Sequence, residues 1–304
     1  MKVFVLAPNE NWICDRLVKE WKNHMSHVCV DDVSECDVIW LLAGWCWNHL
    51  PIDTLRNKKV VVTEHHIVPE KFDDQKLQNF KIRDQLVDAY HVPNEKTAKF
   101  ISELTEKPIH VIPYWFNSDI WYPEDKSECR KFFGLPEDKF VVGSFQRDSE
   151  GGTRNPKLEK GPDLLAEFLI GLNRDDLHVL LGGWRREYIS DRLDAADIQY
   201  TRIELAPIEI IRKMYAVCDL YVVSSRYEGG PQALYEASAM KIPIISRDVG
   251  VANKILCKNC IVDVPNEIYY PTQSDVELNF KNVQRYNIIR HKDSYHKMLE
   301  KIIK

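Results

Sequence analysis

Short continuous apolar runs alternate with amphipathic stretches through most of this chain, and that alternation constrains the fold more than any other feature. The runs KVFVLAP (2–8), DVIWLLAG (37–44), KKVVVTEHH (58–66), DAYHVPN (88–94) and PIHVIPYW (108–115) read as strands. Between the first two, WICDRLVKEWKNHM (12–25) repeats its large apolar residues every three to four positions, the period of a helix. Strands that are apolar without interruption must be covered on both faces, which a mostly parallel sheet flanked by helices achieves. A polar break at 117–128 separates this set from a second.

The second set repeats the pattern with short connections. Strands are expected at 139–145, 177–183, 198–204, 219–225 and 242–246, with helices at 161–172, 208–218 and 231–240. The final stretch from about 275 to 304 has helical periodicity and no strand partner. The expected architecture is α/β, with two Rossmann-like doubly wound domains facing each other across a cleft. The first is expected over 1–117 and the second over 118–285, with the helix at about 286–304 packing back on the first.

Composition narrows the function classes. A formal net charge of −5 argues against a general nucleic-acid binder. The tail carries Lys281, Arg285, Arg290, Lys292, Lys297, Lys301 and Lys304, which read as a solvated helix face, with peripheral contact to an anionic membrane as the other reading. No apolar run reaches the 18–20 or so residues that span a bilayer, and the start is too short in apolar residues for a secretory signal. Eight scattered cysteines suit reduced thiols, hence a cytoplasmic setting. The single C-x-x-C, Cys257 to Cys260, has no second pair and no suitably spaced histidine, so no metal site is expected.

The chemistry concentrates in SRYEGGPQALYEASAMKIPIIS (225–246). In doubly wound sheets ligands bind beyond the carboxyl ends of the strands, where Glu228 falls. Gly229 and Gly230 let a ligand approach the backbone, and Pro231 suits the first helical turn. The amides of Gln232, Ala233 and Leu234 are then expected to point outward at the positive end of the helix dipole, a site for phosphate. Glu236 lies about 7.5 Å further along the helix axis. Two carboxylates flanking a phosphate cradle match a ligand with hydroxyls on both sides of a diphosphate. A plain strand-to-helix connector would also account for Glu-Gly-Gly-Pro.

This stretch resembles the Glu-x7-Glu signature of retaining glycosyltransferases of the GT-B fold, specifically glycosyltransferase family 4, with Lys241 where those enzymes usually have glycine. The resemblance extends over about 108–265. IPYWFNSDIW (112–121) is similar to the interdomain passage, and SFQRDSEGGTRNPKLEKGPDLLAEF (144–168) to the segment holding an arginine and a Lys-Gly pair. It implies that Arg147 and Lys160 bind the diphosphate, Arg154 being the competitor for Arg147 because the insertion between them is long. It implies that Glu228 holds the sugar and Glu236 the ribose, and that the strand ending Thr-x-His offers His65 to the sugar, His66 being its neighbour. Base selectivity is expected around Leu205. The loop after the first strand lacks the usual Gly-Gly, with Asn11 and Trp12 as substitutes. The tryptophan-rich stretch 39–50 reads as packing, or as a sugar platform.

The implied activity is retaining transfer of a sugar from a nucleotide-sugar donor, a UDP- or GDP-sugar, to a glycan acceptor, without a metal. A nucleotide-sugar epimerase and a non-catalytic binding module are the rival readings. A dinucleotide-dependent dehydrogenase is disfavoured, since no G-x-G-x-x-G follows the first strand.

Overall fold

The computed structural model describes residues 1–10 and 12–304 and divides into two compact units, Met1–Trp115 with Tyr286–Lys304, and Phe116–Arg285. The first unit runs β1 (Val3–Leu6), α1 (Ile13–His24), β2 (Val38–Leu41), α2 (Ile52–Arg56), β3 (Lys59–Thr63), α3 (Asp74–Asp84), β4 (Ala89–Val92), α4 (Glu95–Ser102) and β5 (Ile109–Val111). Its sheet is parallel in the order β1-β2-β3-β4-β5. A short segment around Cys29 bridges the other edge of β1, with Val3 N donating to Val28 O at 2.7 Å and Val30 N to Val3 O at 3.0 Å. The chain therefore leaves β1 toward one side through α1 and returns on the other at β2. That reversal makes the sheet doubly wound and puts its switch point between β1 and β2.

Both faces are covered, as uninterrupted apolar strands require. On one face Ile39, Leu41, Val60, Val62, Tyr90 and Val92 form a core with Leu55, Phe80 and Ile101 from the helices. On the other, Trp21 of α1 meets Trp40 of β2 edge-on at 5.2 Å between ring centroids. Tyr295, from a final helix Ile288–Ile303, lies 5.4 Å from Trp40 and 5.0 Å from Trp115. The indole of Trp115 donates to buried Glu20 at 2.8 Å.

The second unit runs α5 (Lys126–Phe133), β6 (Phe140–Phe145), α6 (Pro162–Gly171), β7 (Leu177–Gly183), α7 (Glu187–Ala195), β8 (Tyr200–Glu204), α8 (Ile208–Ala216), β9 (Leu220–Val223), α9 (Gln232–Ala239), β10 (Ile244–Ser246), α10 (Ala252–Ile255) and α11 (Gln273–Val283). Its parallel sheet has the order β10-β9-β6-β7-β8, so the winding reverses between β6 and β9. Val142, Val179, Leu181, Leu220 and Val222 pack against Leu165, Phe168 and Leu169 of α6 and Ile189 and Leu193 of α7. The final helix, hereafter α12, belongs to the first unit. The expected single helical stretch from 275 onward is broken at 284–286, and Asn287 restarts the helix by accepting from Ile289 N through its side chain.

All eight cysteines are free thiols. No helix among the described residues is long and apolar enough to cross a membrane.

Candidate functional site

The loops after β6 and β9 open at the switch point of the second sheet, where a doubly wound fold places its ligand. Two backbone features bring them together. Gly161 adopts φ +62°, and a Cβ there would stand 2.1 Å from the carbonyl oxygen of Ser224, so only glycine lets the end of the β6 loop reach the end of β9. The amides of Arg226 and Tyr227 then donate to Glu159 O at 2.9 and 3.1 Å, tying one loop to the other. Arg226 adds a forked pair to Asp163 at 2.7 and 2.6 Å.

On this frame Lys160 Nζ donates to Glu228 Oε1 at 2.6 Å, and Ser225 Oγ donates to the same oxygen at 3.0 Å. Ser224 Oγ and Gln146 Nε2 donate to the Lys160 carbonyl at 3.2 and 3.1 Å, which fixes the backbone that carries the lysine. Two side chains 68 residues apart in sequence are thus held as one ion pair, mostly but not wholly removed from solvent.

Arg147 lies half-buried at the start of the β6 loop, its guanidinium 5.0 Å from the centroid of Trp184, which Arg185 approaches at 4.0 Å. Lys157, which sequence reasoning missed, joins this group. Burial lowers its pKa, and the positive charges of Lys160 and Arg147 act in the same direction. The carboxylate of Glu159, paired with Lys157 at 3.4 Å, acts in the opposite direction, so this basic group beside Glu228 is partly balanced. Arg154 points elsewhere, to an exposed ion pair with Asp191 of α7. Beneath the cluster, fully buried Arg186 binds Asp148 at 2.5 Å and the carbonyls of Ser144 and Gly182 at 2.6 and 2.7 Å, locking the ends of β6 and β7. A Cβ at Gly183 would stand 2.6 Å from the Gln146 carbonyl oxygen, a second place where the loops touch backbone to backbone.

The start of α9 differs from expectation in two respects. Pro231 caps the helix with φ −56° and ψ 120°, so Gln232 opens the first turn. The Leu234 amide, expected to point outward, instead donates to Pro231 O at 3.0 Å, and its side chain is buried. The tight bond at the first turn consumes the donor; Gln232 and Ala233 are half-buried in front of it. Gly229 is buried and Gly230 half-buried. Gly250, at φ +55°, braces this turn: a Cβ there would stand 2.7 Å from both Gly229 O and Pro231 Cδ. Glu236 is buried in the second turn, where Tyr215 of α8 donates its hydroxyl to Oε2 at 2.8 Å.

Leu205, at the end of β8, is a non-glycine residue at φ +50° and is 65% exposed. Its amide donates to Gly183 O at 3.3 Å, next to Trp184. A left-handed leucine held out into solvent costs conformational energy and is typical of functional loops.

In the first unit, His65 follows β3, with Nδ1 paired to the Tyr114 hydroxyl and Nε2 3.5 Å from Cys14 Sγ. His66 beside it is half-buried. The tryptophan-rich stretch divides by residue: Trp40 is core, whereas Trp45 is 52% exposed with its ring 5.7 Å from that of His65. Asp15 accepts from the amides of Asn9, Glu10 and Trp12. Trp12 is 39% exposed, and Asn11 lies outside the described residues.

Comparison with known proteins bears on the family and the fold. Residues 126–267, which contain every second-unit residue of the site, match the family model of glycosyl transferases group 1. The chain is 28% identical over 182 residues to a glycogen synthase of Thermosipho melanesiensis, an alignment covering 58% of this chain and 36% of that one. It is 27% identical over 143 residues to the lipopolysaccharide core biosynthesis mannosyltransferase LpsB of Rhizobium meliloti, covering 44% and 38%. The matches thus span less than two-fifths of the curated relatives' length. In structure the chain is similar to Anabaena HepE, solved in complex with UDP and glucose, with TM-score 0.80 and 14% identity over 98% of this chain and 99% of that one. It is also similar to sucrose-phosphate synthase from Thermosynechococcus elongatus, with TM-score 0.70 and 16% identity over 95% and 77%. Sequence and structure converge: this is a GT-B chain whose residues 126–267 match the glycosyl transferases group 1.

Proposed function

We propose that the chain transfers a sugar from a nucleoside-diphosphate sugar to a hydroxyl of a glycan acceptor, with retention at the anomeric carbon. The observation that carries this reading is the Lys160–Glu228 pair set among Arg147 and Lys157 at the switch point of the second sheet. A diphosphate is the anion that such a field and the start of α9 suit, and a carboxylate beside it takes sugar hydroxyls. HepE, solved with UDP and with UDP-glucose, supports a nucleoside-diphosphate sugar as the donor class, and a UDP- or GDP-sugar is the donor proposed.

In this reading the acceptor oxygen attacks the anomeric carbon as the bond from that carbon to the diphosphate oxygen breaks. The electron pair leaves with the diphosphate, whose charge Arg147, Lys157 and Lys160 offset. The acceptor proton passes to the departing phosphate oxygen on the same face, which accounts for retention. Glu228, paired with Lys160, orients the sugar hydroxyls and favours positive charge at the anomeric carbon. Glu236 takes the ribose through the carboxylate that Tyr215 orients. Within the first unit, His65, held by Tyr114, and the exposed Trp45 are the candidate sugar-binding side chains. Leu205 takes the base side. The basic cluster does the work of a divalent ion, so transfer proceeds with a chelator present. The protein acts in the cytoplasm, where donor sugars and reduced thiols coexist.

Thermal-shift screening against UDP- and GDP-sugars identifies the donor, because binding to the folded state raises the melting temperature by mass action. Product analysis with and without acceptor then tests the reaction. Epimerised sugar from donor alone, or binding with neither hydrolysis nor transfer, would overturn the proposal.

A further inference from the structure

The fold assembles a second group of chemically competent side chains that the transfer reaction does not use. Cys257 and Cys260 lie on a single tight turn, their sulfurs 3.3 Å apart. Asp275, in the first turn of α11, brings Oδ1 to 3.2 Å from Cys257 Sγ. All three are buried, Cys260 completely, and their donor atoms lie within 4.8 Å of one another. Asp275 stands 15 positions beyond Cys260, a spacing that carries no recognisable ligand motif.

The surroundings orient each donor. Asp275 Oδ2 accepts from the Tyr269 hydroxyl at 2.6 Å, from Thr272 Oγ1 at 2.6 Å and from Thr272 N at 2.8 Å. Those bonds hold its pKa well below the usual carboxylate range. One carboxylate edge is therefore saturated and the other is turned toward the sulfurs. Asn279, one turn further along α11, accepts from Cys257 N at 2.7 Å and directs its Nδ2 at Cys260 Sγ at 3.6 Å. This is the pattern of outer partners that fix first ligands around a metal.

We infer that Cys257, Cys260 and Asp275 bind a thiophilic divalent cation of the zinc class, separately from the transfer site. Zinc–sulfur and zinc–oxygen bonds of about 2.3 and 2.0–2.2 Å place tetrahedral donors about 3.5–3.8 Å apart. Cys257 Sγ stands 3.3 Å from Cys260 Sγ and 3.2 Å from Asp275 Oδ1, so these two pairs need to open by only a few tenths of an ångström to admit the ion. Two thiolates and one carboxylate favour zinc over magnesium or calcium, which prefer all-oxygen sets. Both thiols give up their protons on binding, and a water completes the fourth position. An open cavity of about 440 Å³ lies beside this turn, lined by Lys258, Asn259, Ile261 and Tyr269. The ion would staple the 257–260 turn to α11, which packs on α9, the helix that carries Glu236.

Cobalt is the probe. The full chain, reduced and stripped with a chelator, is titrated with Co²⁺ alone. The expected result is a thiolate-to-cobalt charge-transfer band with tetrahedral d–d bands that saturates at one equivalent and is displaced by Zn²⁺. Cys257→Ser and Cys260→Ser should each weaken cobalt binding by more than the roughly 10- to 100-fold that loss of an outer partner costs. Cys129→Ser, at another buried cysteine, should leave the titration unchanged. Because the serine variants can fail to fold, Zn²⁺ protection from alkylation is mapped on the wild-type chain, where Cys257 and Cys260 should be shielded. No charge-transfer band, bands that persist unchanged in both folded serine variants, or alkylation at 257 and 260 indifferent to zinc would each overturn the inference.

Discussion

Lys160 and Glu228 form a 2.6 Å ion pair across the point where the second sheet reverses its winding. Each is attached to a loop braced by the other's backbone, so the pair reports whether the site is assembled. It also sets a carboxylate among basic side chains at the mouth of the sheet, an arrangement with no evident value to folding alone. Removing either partner should therefore cost activity more than stability. Glu228→Gln and Lys160→Met are expected to lower turnover by about 10²–10³. The melting temperature should move little, because the pair is partly solvated. Steady-state kinetics with the identified donor, read beside thermal melts, check this; full activity in both variants would remove these residues from the reaction.

Gly161→Ala should behave in the opposite way. Its φ of +62° and the 2.1 Å approach to Ser224 O leave no room for a methyl group unless backbone moves. Left-handed strain alone costs about 1–3 kcal/mol, and parting the loops adds to it. Denaturant unfolding should show a clear loss of stability, together with loss of donor binding.

Arg147 and Arg154 separate cleanly. Arg147 stacks on Trp184 and belongs to the basic cluster, whereas Arg154 is exposed and engaged with Asp191. Arg147→Ala is expected to weaken donor binding and lower kcat/KM by about 10²–10³. Arg154→Ala should leave both unchanged. Equal losses in the two variants would mean that the long loop rearranges around the donor.

Acid should loosen the first unit through a buried histidine. His91 sits between Thr63 Oγ1 at 3.0 Å and Ile112 O at 2.8 Å, and burial pushes its pKa down to about 3. Burial likewise lowers that of His291, whose Nε2 lies 2.6 Å from Pro113 O. An unfolded histidine titrates near 6.5, so between about 6.5 and 3 the unfolded chain binds more protons than the folded one. Stability contributed by these neutral imidazoles is complete above about pH 7 and is lost progressively as pH falls through that window. Melting temperatures between pH 5 and 8 in one buffer system test the sign, and His91→Gln should flatten the slope.

Much of this was legible because the determinants are local. Strand β7 occupies the residues that its apolar run marks, and α9 begins where Gly-Gly-Pro ends. Helices α2, α3, α4, α5, α7 and α10 lie outside the stretches whose periodicity marks a helix; in α3 the apolar Leu77, Phe80 and Ile82 are sparse amid charge. The signature residues Lys160 and Glu228 could be named from spacing, but their direct pairing could not, since it depends on Gly161 meeting Ser224 in space. Lys157 sits in a polar loop that reads as solvated, and only the closed loop reveals its proximity to Lys160 and Arg147. The amide of Leu234 was misjudged because helix-start rules do not specify whether a first turn tightens. Asp275 is further out of reach, since its relation to Cys257 and Cys260 exists only after α11 has docked.

The return of α12 to the first unit has a consequence in time. Trp21, Trp40 and Trp115 are translated early, yet Tyr295, which lies against all three, emerges some 180 residues after Trp115. At about 5–20 residues per second the incomplete aromatic face waits roughly ten to forty seconds for its last ring. The second unit is contiguous and lies within that interval, so it has all its residues before the first unit does. Nascent chains arrested after residue 285 should therefore carry a second unit able to fold and a first unit still exposing tryptophan, the state in which a chaperone would meet this protein.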